Sequence, residues 1–327
     1  MKRWITILGV LLAIQLGLAA FIHFNAGGDF AARDGEALVQ ADQARVDRIV
    51  IEAQRQPALV LEKKDGTWRL PGHYDFPAAS DRVQQLLDKL AGLKPRLPVA
   101  TSGSAAERFK VADADFERKL VLAGGKETFA TLYLGDSPGF RRIYARTDGS
   151  DAVYEVEFGV HEASVKPDDW ADRGFLRVKE EEVTRAELPG ITLERKDGQW
   201  LAEGLSEGEE TVQAEAAAAV GKLAGLTFLS VLGSEARPEY KQDAPVASGA
   251  LTLKSGEKVN YVFSKPEQGS DYVLKTSAHD YYFKVAGYIV DELKDLKREK
   301  LVRAKAQPAA QDTEAGASAP ATQDEPS

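Results

Sequence analysis

No cysteine occurs among the 327 residues. Disulfide staples, thiolate metal sites, cysteine nucleophiles and a lipidated N-terminal cysteine are excluded. Each folded unit must therefore rest on its apolar core, as a unit of roughly 120 residues can. Histidine is scarce, at His23, His73, His161 and His279. None stands in H-x-x-x-H or H-E-x-x-H spacing, so no metal site is expected. Neither a Walker A loop nor G-x-G-x-x-G, the turns that cradle phosphates, is present; no cofactor is expected, and any ATPase served by this chain is another polypeptide. Lysine and arginine form no stripe and the net charge is −9. That removes the counterion-release term behind phosphate-backbone binding, so nucleic acid is not an expected partner.

What is present is an ordinary globular mixture, 43% hydrophobic and 28% charged, long enough for two domains. Lys2 and Arg3 precede an apolar run from Trp4 to Phe24, which spans about 31 Å as a helix, close to the hydrocarbon thickness of a bilayer. Residues 1–24 are expected to be a single transmembrane anchor, with the N-terminus cytoplasmic and the bulk in the periplasm of a bacterial inner membrane. A cleaved signal peptide is the alternative, but the run continues past the small residues of "GLAA" through Phe21, Ile22 and Phe24. Residues 25–45 read as a small, polar stalk. At the far end, Gln307 to Ser327 has three prolines, four acids, no Lys or Arg and no aromatic residue; it cannot offset its ordering entropy, and 304–327 is expected to be a disordered tail.

Between these ends the chain repeats itself. "ALVLEKKDGTW" (Ala58 to Trp68) faces "GITLERKDGQW" (Gly190 to Trp200), each an alternating segment, a Lys-Asp-Gly turn and a Trp. Asp-Gly between alternating segments signals a hairpin. "SDRVQQLLDKLAGL" (from Ser80, a candidate N-cap) faces "QAEAAAAVGKLAGL" (from Gln213), one amphipathic helix per copy. "KLVLAGGKETFATLYLG" (from Lys119) faces "ALTLKSGEKVNYVFSK" (from Ala250), and "IYARTDGSDAVYEV" (from Ile143) faces "YVLKTSAHDYYFKV" (from Tyr272), matching Arg146 to Lys275 and Tyr154 to Phe283. The expected fold is α+β: two tandem repeats, 46–178 and 179–303, each an antiparallel sheet with one main packed helix. They join near "VKEEEVTR", whose Glu180, Glu181 and Glu182 are read as solvating the joint.

The residues resemble a bacterial family known as domain of unknown function 4340, in the order Trp68, the Leu-rich helix to Leu93, "LYLG" (Leu132 to Gly135), "IYAR" (Ile143 to Arg146), "VYEV" (Val153 to Val156) and "WADRGFL" (Trp170 to Leu176). The resemblance covers most of Val46 to Val178 and, more weakly, the second copy. It implies an accessory component beside gliding-type ABC transport systems, and carries over no catalytic residue. The second copy departs from it with "SKPE" (from Ser264) where the first has "LGDS" (from Leu134).

One stretch imitates catalysis. "GDSPG" (Gly135 to Gly139) satisfies G-x-S-x-G, but the alternating "FRRIYAR" follows it where a nucleophile elbow needs a helix, so a hairpin loop is expected. His73 with Asp75 and His279 with Asp280 are the local His/Asp pairs, read as solvated turns. Trp68 and Trp200 are read as core rather than ligand-stacking rings. The expectation is a non-enzymatic, membrane-anchored periplasmic component that binds membrane protein partners, ABC transporter subunits among them. The rivals are an envelope hydrolase using Ser137, and an envelope glycan- or peptide-binding module at the cleft between the copies.

Overall fold

The computed structural model describes residues 12, 15, 17, 37–95 and 97–305. The first copy runs β1 (Arg48–Glu52), β2 (Leu59–Lys64), β3 (Thr67–Leu70), β4 (Phe76–Pro77), α1 (Ser80–Ala91), β5 (Arg118–Gly124), β6 (Glu127–Leu134), β7 (Arg142–Thr147) and β8 (Tyr154–Glu157). The second runs β9 (Val183–Leu188), β10 (Ile191–Lys196), β11 (Gln199–Ala202), β12 (Glu209–Thr211), α2 (Gln213–Ala224), β13 (Ser230–Gly233), β14 (Pro245–Leu253), β15 (Lys258–Ser264), β16 (Tyr272–Thr276), β17 (Tyr282–Val285), α3 (Gly287–Lys294) and β18 (Val302–Ala304).

The two Lys-Asp-Gly turns close alike. Asp65 and Gly66 take φ of 50° and 81°, Asp197 and Gly198 φ of 50° and 80°, the doubly left-handed geometry whose twist matches the flanking strands. From these hairpins seven strands of each sheet follow the same order, with an eighth added at opposite edges, β4 beside β3 and β13 beside β17. The first is β4-β3-β2-β1-β5-β6-β7-β8 and the second β11-β10-β9-β14-β15-β16-β17-β13, while β12 pairs with β18. Register equates the copies residue by residue. Ile49 pairs with Leu61 and Leu122, as Ala186 pairs with Leu193 and Leu251. The sequence alignment of "KLVL" with "ALTL" set Leu122 against Leu253; the register moves the match two residues, and a shift of two keeps every side chain on its face.

The expectation of an α+β fold headed by a transmembrane helix is corrected. The described chain is mostly β-sheet, with 18 strands in three sheets against about 22% helix. The helices at Ser80 and Gln213 are present, but each is one short element laid on an eight-stranded sheet. The strands missed are the decisive ones: β9 lay hidden in the stretch read as a linker, because Glu180–Glu182 form a 3-10 turn that leads straight into Val183. Among the described residues no helix is long and apolar enough to cross a membrane. The run 1–24 lies outside the described residues apart from three isolated positions, as does the tail beyond 305.

Packing follows the helix faces. Val83, Leu86, Leu87 and Leu90 of α1 are buried, and α2 buries Ala216, Ala219, Val220 and Leu223. Ser80 is not the N-cap; Ala79 holds that place, its N–H bonded to the Trp170 carbonyl at 2.7 Å. The part of the expected stalk that is described packs on the first copy: Leu38 N–H reaches Leu93 O at 2.7 Å, and Val39 is buried.

Candidate functional site

Ser137 stands in the exposed turn between β6 and β7, with a strand and not a helix after it. Its hydroxyl lies 2.8 Å from Gly139 O and 2.6 Å from Arg142 O, so its one proton closes its own turn. No described histidine bonds it. Phe140, at the tip beside it, is 91% exposed.

The two His/Asp pairs separate. Partial burial pushes the Asp75 carboxyl up, but Arg69 at 2.8 Å and Lys64 at 3.3 Å outweigh it and hold the group below the usual carboxylate range. Its neighbour His73 turns instead to Asp168, with Nε2 3.3 Å from Oδ1 in a geometry too bent for a hydrogen bond. Asp168 also accepts from Ser230 Oγ at 2.7 Å and from Val231 N–H at 3.2 Å. Serine, histidine and aspartate thus meet, but in the wrong order for nucleophilic catalysis: the carboxylate sits between the other two, and no base faces the hydroxyl. The constellation is a clamp between copies. Arg173 completes it, donating to the Asp168 carbonyl at 3.0 Å and to the Phe228 carbonyl.

His279 reaches the same joint from the second copy. Its ring lies on Phe175, centroids 4.1 Å apart, while its carbonyl accepts from Lys275 Nζ at 2.6 Å. Burial pushes its imidazole below the ordinary histidine value, with the Lys275 charge adding to the effect against the Phe175 backbone, Glu257 and Asp280. The sign follows from linkage: in the window between the lowered folded value and about 6.5, the unfolded chain binds more protons, so stability is lost as pH falls through it. His279→Gln is expected to flatten that part of the stability profile, measured by urea unfolding at a series of pH values; an unchanged slope would remove His279 as its source.

Trp68 and Trp200 hold equivalent places in β3 and β11 and are 5% and 3% exposed. Cross-strand cations cover them, Lys63 at 6.0 Å and Arg195 at 5.5 Å from the ring centroids, which leaves no open face for a ligand. The second equivalence is polar. Arg146 donates to Ser150 O at 3.2 Å as Lys275 does to His279 O, each tethering the turn that follows its strand.

The cleft reading needs exposed aromatics along a groove between copies. At the joint Phe76, Phe228 and Phe283 are buried against one another. Clefts of 560, 650 and 640 Å³ lie beside Phe129 and Thr147, Tyr240 and Tyr272, and Lys89 and Glu155, each walled by a single copy. Among the described residues no group of three or more His, Asp or Glu is placed to hold a metal ion, and His161 lies exposed on a 3-10 turn. His23 lies outside the described residues.

Sequence reasoning missed Asp168, Arg173 and Phe140. Only Phe140 carried a local signal, an aromatic at a Pro-Gly turn where alternation calls for none. No curated protein and no solved structure matches the chain. The sequence model of the family described as domain of unknown function (DUF4340) matches residues 68–245, more than half of the length, from β3 of the first copy to the start of β14 in the second, and the chain belongs to that family.

Proposed function

We propose that the chain is a non-enzymatic binding component, exported and held at a bacterial inner membrane by its apolar N-terminal run, that contacts other proteins through its first copy. The observation that carries this is a set of exposed apolar side chains on that copy, two of which line one cleft. Phe140 is 91% exposed, Leu97 78% and Val99 44%; Leu97 and Val99 share the walls of one cleft with Arg142, two residues from Phe140. Single exposed apolar residues are ordinary, whereas a group around a cleft marks an interaction surface. The membrane anchor would raise the local concentration of this surface beside a membrane partner. Service to an ABC-type, gliding-like transport complex rests on the family resemblance.

A photo-crosslinking amino acid placed at Phe140 is expected to yield a discrete protein adduct in native membranes, and Phe140→Ser to abolish complementation of a deletion strain while the protein still folds. Ser137→Ala is expected to complement fully and to change stability by no more than roughly 0.5 kcal/mol, as surface substitutions do. A folded Ser137→Ala protein without function would replace this reading with the hydrolase.

A further inference from the structure

One hairpin turn carries opposite features in the two copies. Tyr133 pairs with Arg146 as Val262 pairs with Lys275, at the same separation in sequence, so the turn after β6 and the turn after β15 match residue by residue. The first carries Phe140, 91% exposed, followed by Arg141 and Arg142. The same three places in the second hold Gly269, Ser270 and Asp271, and Asp136 is exchanged for Lys265. The apolar knob is gone and the charges are reversed.

Beside the second turn lies a hole where the first copy is filled. Phe109 and Tyr240 are equivalent: each precedes a lysine at φ 52°, and each carbonyl accepts at the end of the matching strand, that of Phe109 from Asp136 N–H at 3.0 Å and that of Tyr240 from the Ser264 hydroxyl. Gly135 takes the place of Ser264 and lets the Phe109 segment approach so closely that a Cβ there would strike the Phe109 carbonyl. In the second copy the serine side chain holds the Tyr240 segment off. Phe109 lies on Tyr144, with ring centroids 4.3 Å apart. At the place of Tyr144 the second copy has Val273, and Tyr240 leans one strand away onto Tyr282, at 5.2 Å. Val273 thus leaves the space that the Tyr144 ring takes. The 650 Å³ cleft opens there, with Tyr240 and Pro266 in its walls. Three carboxylates line it, Glu239, Glu267 and Asp271, against two ammoniums, Lys241 at 2.8 Å from Glu267 and Lys284 at 3.1 Å from Asp271.

Resting on the contact surface proposed above, we infer that its partner is a second molecule of this chain: Phe140 of one molecule enters the second-copy cleft of the next, its ring on Val273, with Arg141 and Arg142 against Glu267 and Asp271. Within one molecule Phe140 is exposed, so it does not fill its own cleft. An apolar knob and a complementary pocket elsewhere on the same molecule make a head-to-tail contact, and an aromatic side chain in a desolvated pocket is the usual anchor of an interface. Charge fixes the direction, because knob on knob would set arginine against arginine.

The test follows the mass of the full chain in detergent by sedimentation at a series of concentrations. The mass is expected to rise with concentration by whole chains. Phe140→Ser, and Val273→Tyr, which installs the first copy's own residue, are each expected to weaken association by at least about tenfold. An equimolar mixture of the two is expected to form a one-to-one pair and stop there, since each variant keeps the half that the other has lost. Should Val273→Tyr misfold, Glu267→Arg is expected to weaken association and Arg141→Glu in the same chain to restore it. A single-chain mass at every concentration, association that survives both Phe140→Ser and Val273→Tyr, or a mixture that stays as single chains would overturn the inference. The crosslinker at Phe140 separates the two claims. An adduct with a different protein, unchanged by Val273→Tyr, sinks the cleft contact alone; an adduct of twice the chain mass in cells where Phe140→Ser still complements sinks the functional reading alone.

Discussion

Phe76→Ala is expected to lower the unfolding free energy by about 4 kcal/mol, within the range of buried Phe truncations. Phe76 is fully buried at the seam. Its ring meets Phe175 at 4.8 Å, Tyr281 at 5.1 Å, Phe228 at 5.5 Å and Phe283 at 6.0 Å, all edge to face. Three of these partners belong to the second copy, so the cavity opens between copies, where neither sheet alone can collapse to fill it. Phe228→Ala is expected to cost a similar amount, and the double variant less than the sum, because the rings touch. Urea unfolding of the four proteins checks this; strict additivity would mean that the seam does not act as one cluster.

Arg146→Ala is expected to cost about 3 kcal/mol, since bonds from a charged donor are worth roughly 1.5–3 kcal/mol each and their acceptors are left buried. The guanidinium gives Nε–H to Val111 O at 2.7 Å and an η N–H to Ser150 O at 3.2 Å. It also pairs with Asp113 and lies 4.5 Å from the Tyr133 ring centroid. Asp113 is exposed and adds little. Arg146→Lys should recover only the Ser150 bond, the one Lys275 makes in the second copy, because an ammonium lacks the fork that reaches two carbonyls at once. Lys275→Ala should then cost about 1 kcal/mol, one hydrogen bond. Equal losses for Arg146→Lys and Arg146→Ala would show that the packing over Tyr133, not the turn tether, sets the cost.

Much of each copy was legible. Asp65-Gly66 and Asp197-Gly198 specify their turns locally, and the apolar positions of α1 recur at helical spacing. Arg146/Lys275 and Tyr154/Phe283, aligned in the sequence, hold equivalent register positions. The class was misjudged because short strands carry little periodic signal. β1 is five residues and β12 three, and β9 follows a run of glutamates that masks its alternation. The candidate site was less legible still. His73, Asp168, Ser230 and His279 are far apart in the chain, and no local pattern announces a contact made only by docking one copy on the other.

By itself, the sequence determined what short-range chemistry decides: the hairpin turns, the two helices, the duplication, and the absence of a helix behind Ser137. Tertiary structure alone decided which strand is central, since β1 and β9 become so only when distant β5 and β14 pair with them. It decided that the aromatic rings of both copies share one seam, because burial is a property of the docked pair.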